Sequence, residues 1–303
     1  MSDVSLLHET VERLMTRGCT PEARRRADDS GLLVELWATV AEAGLPWVSV
    51  PETAGGAGGT VGDACAILRS AGRHAAGLPL AETGLLGGWL LASAGMAVPD
   101  TAITVGVDHH EDRVDLRRGG SGWLLNCRLH RVPWASGAGH VVMLAGSGAE
   151  RRVVSVPTSS GTLVPGHNVA GESRDTFLAD NLAVDEAAVA PAPEGVDLDA
   201  LRLRGALART VQMVGAMESV SALTLSYAND RVQFGRSISQ FQAVQQHLVR
   251  IASETAAAAL ASDVAVAAYA SGGGRFEVGV AKANASSAAG LVASLAHQVH
   301  GAI

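Results

Sequence analysis

Lysine is nearly absent from this chain: of its 23 basic residues only Lys282 is a lysine, and the rest are arginines. That bias is the mark of a GC-rich coding sequence more than of any function. With 30 acidic residues the formal net charge is -7, and no basic stripe exists to neutralise phosphates, which argues against nucleic acid as a partner. Cysteine is scarce too. Cys19, Cys65 and Cys127 lie far apart with no Cys-x-x-Cys pair, which argues against a disulfide framework and a structural zinc site and fits reduced thiols in a cytoplasm. The opening residues, Met1-Ser-Asp-Val4, lack the basic and apolar regions of a signal peptide. The most apolar long stretch, Thr255 to Ala270, is short, alanine-rich and interrupted by Asp263, so it reads as a bundle helix and not as a membrane span. No internal repeat and no disordered tail is visible.

What is present is a 303-residue chain with 48% apolar and 17% charged content, able to bury a sizeable core in two or three subdomains. From Leu6 to about Val98 apolar residues recur at helical spacing, punctuated by Pro21, Pro46 and a glycine cluster between Ala54 and Gly62. The cluster reads as a flexible inter-helix loop. From Ala102 the texture changes to short β-rich runs at 103–107, 123–127, 140–144, 153–156 and 177–184, separated by glycine-bearing turns, which predicts a small sheet or barrel. After the linker Ala190-Pro-Ala-Pro-Glu-Gly195, Asp197 or Asp199 is placed to cap a long helix with the stripe Leu207, Val211, Val214, Met217 and Leu225. Three or more helices are expected after it, with Gly272-Gly-Gly274 as the loudest break. The expected domains are a helical one over 1–100, a β domain over 101–193 and a helical bundle over 194–303 that is incomplete at its C-terminus.

The run Tyr227-Ala-Asn-Asp-Arg-Val-Gln-Phe-Gly-Arg-Ser-Ile-Ser-Gln-Phe-Gln242 carries the strongest chemistry. A helix ends near Arg231, Gly235 breaks it, and a second apolar stripe begins with Phe241, Val244, Leu248, Ile251 and Thr255. At such a junction an arginine can fork onto a pyrophosphate, a phenylalanine can wall off a ring system and a glutamine can donate and accept at fixed distance. A lone Arg-x-x-Phe-Gly would read as a solvated helix end; the whole run tips the balance.

That run resembles the flavin-contact segment of the acyl-CoA dehydrogenases. The resemblance extends over most of the chain, through Leu36-Trp, Ala43-Gly-Leu-Pro-Trp-Val-Ser-Val-Pro-Glu52, Gly55-Gly-Ala-Gly-Gly59, Gly72-Arg-His-Ala-Ala-Gly-Leu-Pro-Leu-Ala-Glu82, Trp123, Val132-Pro-Trp-Ala135 and Gln298-Val-His-Gly301 in the family's order. It implies a mostly α fold with a small β domain: N-terminal helical domain, middle sheet or barrel, C-terminal helical bundle. It also implies FAD as cofactor, with Arg231 on the pyrophosphate, Phe234 and Gln242 lining the cofactor and Gln298 with Gly301 at the adenosine end, and it implies an oligomer because these residues reach a flavin held mainly by a neighbouring subunit.

The same resemblance exposes gaps. The family's Thr-Glu-Pro-x-Ala-Gly-Ser-Asp segment has no counterpart between Leu91 and Trp123, and Val132-Pro-Trp-Ala135 stands either in the second ring-contacting strand or as a structural tryptophan in a sheet. Of the two places for the family's glutamate base, the first holds Gly205 and the second lies past Ile303, so no catalytic residue is assigned. Glu218 and Glu254 are the nearest carboxylates, and each borders an apolar stripe where a salt-bridged role is the expectation. Retained clamp motifs without ring motif or base describe one subunit of a two-plus-two acyl-CoA dehydrogenase acting on a CoA thioester, possibly steroid-derived, with a partner subunit supplying the glutamate. The rivals are a homotetrameric acyl-CoA dehydrogenase with a truncated tail, a non-catalytic scaffold of the same fold, and a flavin oxidase or monooxygenase. His297 and His300 have metal-compatible spacing but no third ligand. Gly55 to Thr60 lacks the order of a nucleotide loop. His109-His110 reads as an exposed turn, and Ser121 lacks a Gly-x-Ser-x-Gly frame.

Overall fold

A computed structural model describes residues 3–27, 31–107, 112–120 and 122–301; His109, His110 and Ser121 lie outside them. Helices come first, then strands, then helices. The opening helices are α1 (Asp3–Gly18), α2 (Pro21–Arg26), α3 (Val34–Glu42), α4 (Val61–Arg73) and, after a buried π-helical segment at Ala81–Gly88, α5 (Trp89–Ser93). Eight strands follow: β1 (Ile103–Gly106), β2 (Arg113–Gly119), β3 (Gly122–Pro133), β4 (His140–Ala145), β5 (Arg152–Pro157), β6 (Thr162–Val164), β7 (Arg174–Val184) and β8 (Val189–Pro191). The chain then forms α6 (Leu198–Asp230), a hairpin of β9 (Val232–Gln233) and β10 (Arg236–Ser237), α7 (Gln242–Ala270) and α8 (Arg275–His300). The fold is mostly α with a small β part. Two long helices follow α6, and not the three or more expected, because α7 and α8 run unbroken for 29 and 26 residues.

Two compact units emerge, one of residues 16–64 and 77–205, the other of 1–15, 65–76 and 206–303. In the first, strands pair in the order β1-β4-β5-β8 and β2-β3-β7-β6. Inner faces of both sheets share a core through Leu125, Leu129 and Phe177 from one and Val141, Met143, Val154 and Val156 from the other. The first sheet is covered on its other face as well, where Val142, Leu144 and Val153 join Trp47, Val50, Leu90 and Leu91. That accounts for the near-continuous apolar texture of β1 and β4. The glycine cluster is not a flexible loop: Ala57, Gly58 and Gly59 donate their N–H groups to Trp47, Val50 and Val48 carbonyls at 2.7–3.2 Å. A segment whose backbone bonds are satisfied this way is held in place.

In the second unit, α6 through Val214 and Met217, α7 through Ile251 and Ala258, and α8 through Ala285, Ala288, Val292 and Ala296 build the core. The expected stripe on α7 is the face that turns inward, from half-buried Phe241, Val244 and Leu248 to buried Ile251 and Thr255. On α6 the stripe holds through Met217, but Leu225 is 50% exposed and Thr224 and Ala228 are buried in its stead. Eight residues past Met217 the helix has turned about 80° beyond two full turns, so the inward position falls elsewhere. Asp197, not Asp199, is the cap of α6: its Oδ1 accepts the Ala200 N–H at 2.8 Å.

Candidate functional site

The junction after α6 is a tight hairpin. Arg236 pairs with Gln233 and Ser237 with Val232, and the two residues between them, Phe234 (φ 51°) and Gly235 (φ 78°), both have left-handed backbone. A two-residue turn of this kind favours asparagine, aspartate or glycine; phenylalanine at its first position costs about 1 kcal/mol. Its side chain recovers little by burial, since Phe234 is 93% exposed. An aromatic ring held out to solvent on unfavourable backbone marks a contact surface. The base of the hairpin is fixed by Ile238 N–H to the Arg231 carbonyl at 2.8 Å and by the Ser237 hydroxyl donating to the Ala228 carbonyl at 2.7 Å.

Phe241 organises the rest. Phe234 meets it edge-on with centroids 6.2 Å apart, and the Arg236 guanidinium lies over its ring at 4.2 Å. As the residue before α7 it offers no side-chain acceptor to the helix, so first-turn N–H groups of α7 remain for solvent or a ligand, at the positive end of the helix dipole. Gln242 is exposed on that turn, followed on the same surface by Gln245, Gln246, Val249 and Arg250, which line an open groove. Arg231 is exposed, and among the described residues no carboxylate partners its guanidinium.

Gln298 is exposed on the last turn of α8, and Gly301 closes that helix with φ 72°. Left-handed closure there needs glycine, while a Cβ would meet nothing within 4 Å. The two ends are joined by Tyr227 and His300, whose rings stack with centroids 4.3 Å apart. The structure therefore brings the predicted residues onto two segments linked at this stack. What sequence reasoning missed is the link itself: Tyr227 was only part of the run, and His300 only a candidate metal ligand. Among the described residues no group of three metal-ligating side chains exists.

This donor set suits the dinucleotide half of FAD: an unpaired guanidinium for a pyrophosphate, open helix N–H groups, an exposed aromatic face and two amides. The ring half fits poorly. Trp134, just past β3, is 2% exposed with left-handed backbone, and it is structural, not a strand residue presenting a face. The neighbouring Ser136 is engaged as well, its N–H on Asp175 at 2.8 Å and its hydroxyl on Ser173 at 3.1 Å.

Neither Glu218 nor Glu254 is poised as a base. Glu218 is gripped by Arg69 at 2.5 Å and Arg73 at 2.7 Å. Burial works to raise its pKa, but hydrogen bonds and charge from both arginines outweigh that and hold it below the usual value, the opposite of what α-proton abstraction near neutral pH requires. Glu254 is tied to Arg250 at 2.8 Å one turn away on the same helix. Buried Cys19 and Cys127 are inert thiols, each pushed by burial to a pKa of about 11.

Two family descriptions match the sequence, "Acyl-CoA dehydrogenase, N-terminal domain" over residues 2–97 and "Acyl-CoA dehydrogenase, C-terminal domain" over 202–303. Together they span 198 of 303 residues, and the chain belongs to the acyl-CoA dehydrogenase family. It is 26% identical over 302 residues to acyl-CoA dehydrogenase IpdE2 of Mycolicibacterium smegmatis, covering 98% of this chain and 86% of that protein. Among solved structures it resembles the ChsE4-ChsE5 complex from Mycobacterium tuberculosis (TM-score 0.88, 24% identity, 99% of this chain and 87% of that one). A second neighbour is the Tcur3481-Tcur3483 steroid ACAD (TM-score 0.86, 25% identity, 99% and 87%).

Proposed function

We propose that this chain is a cytoplasmic subunit of a heteromeric, FAD-dependent acyl-CoA dehydrogenase and supplies the dinucleotide clamp, while a partner subunit of the same fold supplies the ring contacts and the glutamate base. The observation that carries the reading is an exposed Arg231 with no carboxylate partner among the described residues, beside Glu218 and Glu254 that are both held by arginines. Arg231 would fork onto the pyrophosphate, Phe234 would cover the flavin's linker or ring edge, Gln242 would fix its orientation by donating and accepting, and Gln298 with Gly301 would meet the adenosine end. When bound, the flavin would supply the hydride-acceptor chemistry that α,β-dehydrogenation of a CoA thioester needs. This chain's own share is to bind, orient and keep water from one side of the cofactor.

Heteromery draws support from two neighbours that each pair two proteins, the ChsE4-ChsE5 complex and the Tcur3481-Tcur3483 steroid ACAD. A steroid-derived CoA thioester is therefore the substrate class proposed, and two copies of each subunit the stoichiometry. The test is native mass spectrometry of the tagged protein from its own host, with flavin absorbance on the same sample. A two-plus-two complex with a glutamate-bearing partner and two FAD is expected. A flavin-loaded assembly of this chain alone, active on an acyl-CoA, would overturn the shared-site reading, and a flavin-free assembly would turn it into a scaffold. Within the complex, Arg231→Ala should weaken FAD binding by about 100-fold, on the order of 3 kcal/mol, with the assembly mass unchanged.

A further inference from the structure

We propose that Tyr227 and His300 are positioning residues whose mutual stack holds the two parts of the FAD clamp in one register; the inference rests on the clamp reading above. Their ring centroids lie 4.3 Å apart with planes 21° from parallel, a stacked contact slightly closer than the usual separation of aromatic pairs. Tyr227 sits in the last turn of α6, and its carbonyl accepts the Arg231 N–H at 2.9 Å. Displacing Tyr227 thus displaces the backbone that carries the guanidinium. His300 is the final residue of α8 and stands between Gln298 and Gly301.

Core packing seats the two helices, and the stack adds a tie at their ends. Ala228 on α6 and Ala296 and Val299 on α8 are buried, at 0%, 8% and 6% exposure, and they seat both helices in the bundle. Gln298 and Gly301 lie in the last turn of α8 and beyond it, where helices fray. A side-chain tie at the terminal residue limits that fraying where a ligand is to be met, and a pre-ordered site binds more tightly than one that must order on binding. The stack is no part of the core, since Tyr227 is half-buried and His300 exposed. It also gives the His300 imidazole a role that needs no metal.

The experiment titrates FAD into the assembled protein, followed by flavin fluorescence, and reads amide exchange of 296–301 in the flavin-free protein. Tyr227→Leu and His300→Leu should each weaken FAD roughly three- to ten-fold and speed exchange in the last turn of α8. The double variant should be little worse than either single one. Tyr227→Phe, which keeps the ring, should restore the affinity. Faster exchange with unchanged affinity would reduce the stack to a structural contact, and an equal loss in Tyr227→Phe would assign the effect to the hydroxyl; either result overturns the proposal. Arg231→Ala in parallel separates the two readings: FAD lost there but retained in Tyr227→Leu removes this inference and leaves the clamp, whereas FAD retained in Arg231→Ala removes both.

Discussion

Single atoms decide where this chain tolerates change, and its glycines show it. A Cβ on Gly215 in α6 would stand 2.0 Å from the Arg69 carbonyl oxygen of α4, whereas one on Gly290 in α8 would meet nothing within 4 Å. Backbone cannot retreat cheaply, so Gly215→Ala should destabilise the unit by about 1–3 kcal/mol or more. Gly290→Ala should stabilise it by about 0.5–1 kcal/mol through helix propensity. Urea melts of the chain expressed alone would check both, and equal signs would refute the packing argument. At this scale Arg231, Phe234, Gln242, Gln298 and Gly301 could be proposed as a clamp from the sequence because they sit in runs whose residue types are chemically specific. Trp134 was not. Its left-handed turn after β3 depends on Ser173, whose carbonyl accepts the Trp134 N–H at 3.2 Å, a contact from 39 residues away in sequence that no local pattern encodes.

Among elements, α1, α4, α6 and α7 of one unit are joined by an ion network. Arg69 bridges Glu218 and Asp263, Arg73 bridges Glu218 and Glu12, and His74 reaches Glu12 at 2.9 Å. Burial pushes the Glu12 carboxyl up, but its hydrogen bond to His74 and the charges of Arg73 and His74 bring it below the usual value, as the arginines do for Glu218. A carboxylate whose folded pKa is depressed stabilises the fold above its unfolded pKa, near 4.5, and that contribution disappears as pH falls through the folded value. Stability should therefore hold through neutral pH and decline below about pH 4.5. Glu218→Gln should cost about 1–3 kcal/mol at pH 7 and flatten the acid limb; an unchanged limb in denaturation titrations from pH 7 to 3 would disprove the network's role. The inward face of α7 was legible from period alone, whereas the stripe on α6 failed at Leu225. Strand β2 was missed because Arg113-Val-Asp-Leu-Arg-Arg-Gly119 is an edge strand burying only part of alternate residues, a pattern too polar to stand out beside β3.

For the whole molecule, the bundle leaves apolar surface uncovered. Val249, Leu260 and Val264 on α7 are 65%, 67% and 51% exposed, and Phe276 and Val280 on α8 are 77% and 47%. This surface is also why α7 is long and apolar enough to cross a membrane by length and composition, although Arg250, Glu254 and Asp263 interrupt it. Charges at that spacing would be costly inside a bilayer, and they suit the polar rim of a protein interface. Apolar side chains standing out on two adjoining helices of a subunit are the feature expected of a contact with another subunit. Leu260→Glu should therefore lower the mass of the native assembly, read by light scattering after size exclusion, while leaving the circular dichroism spectrum unchanged. The flavin content of the smaller species then separates the roles of the surfaces. Retained FAD would put the clamp in a contact that survives without this face, and FAD lost together with mass would make the two contacts one.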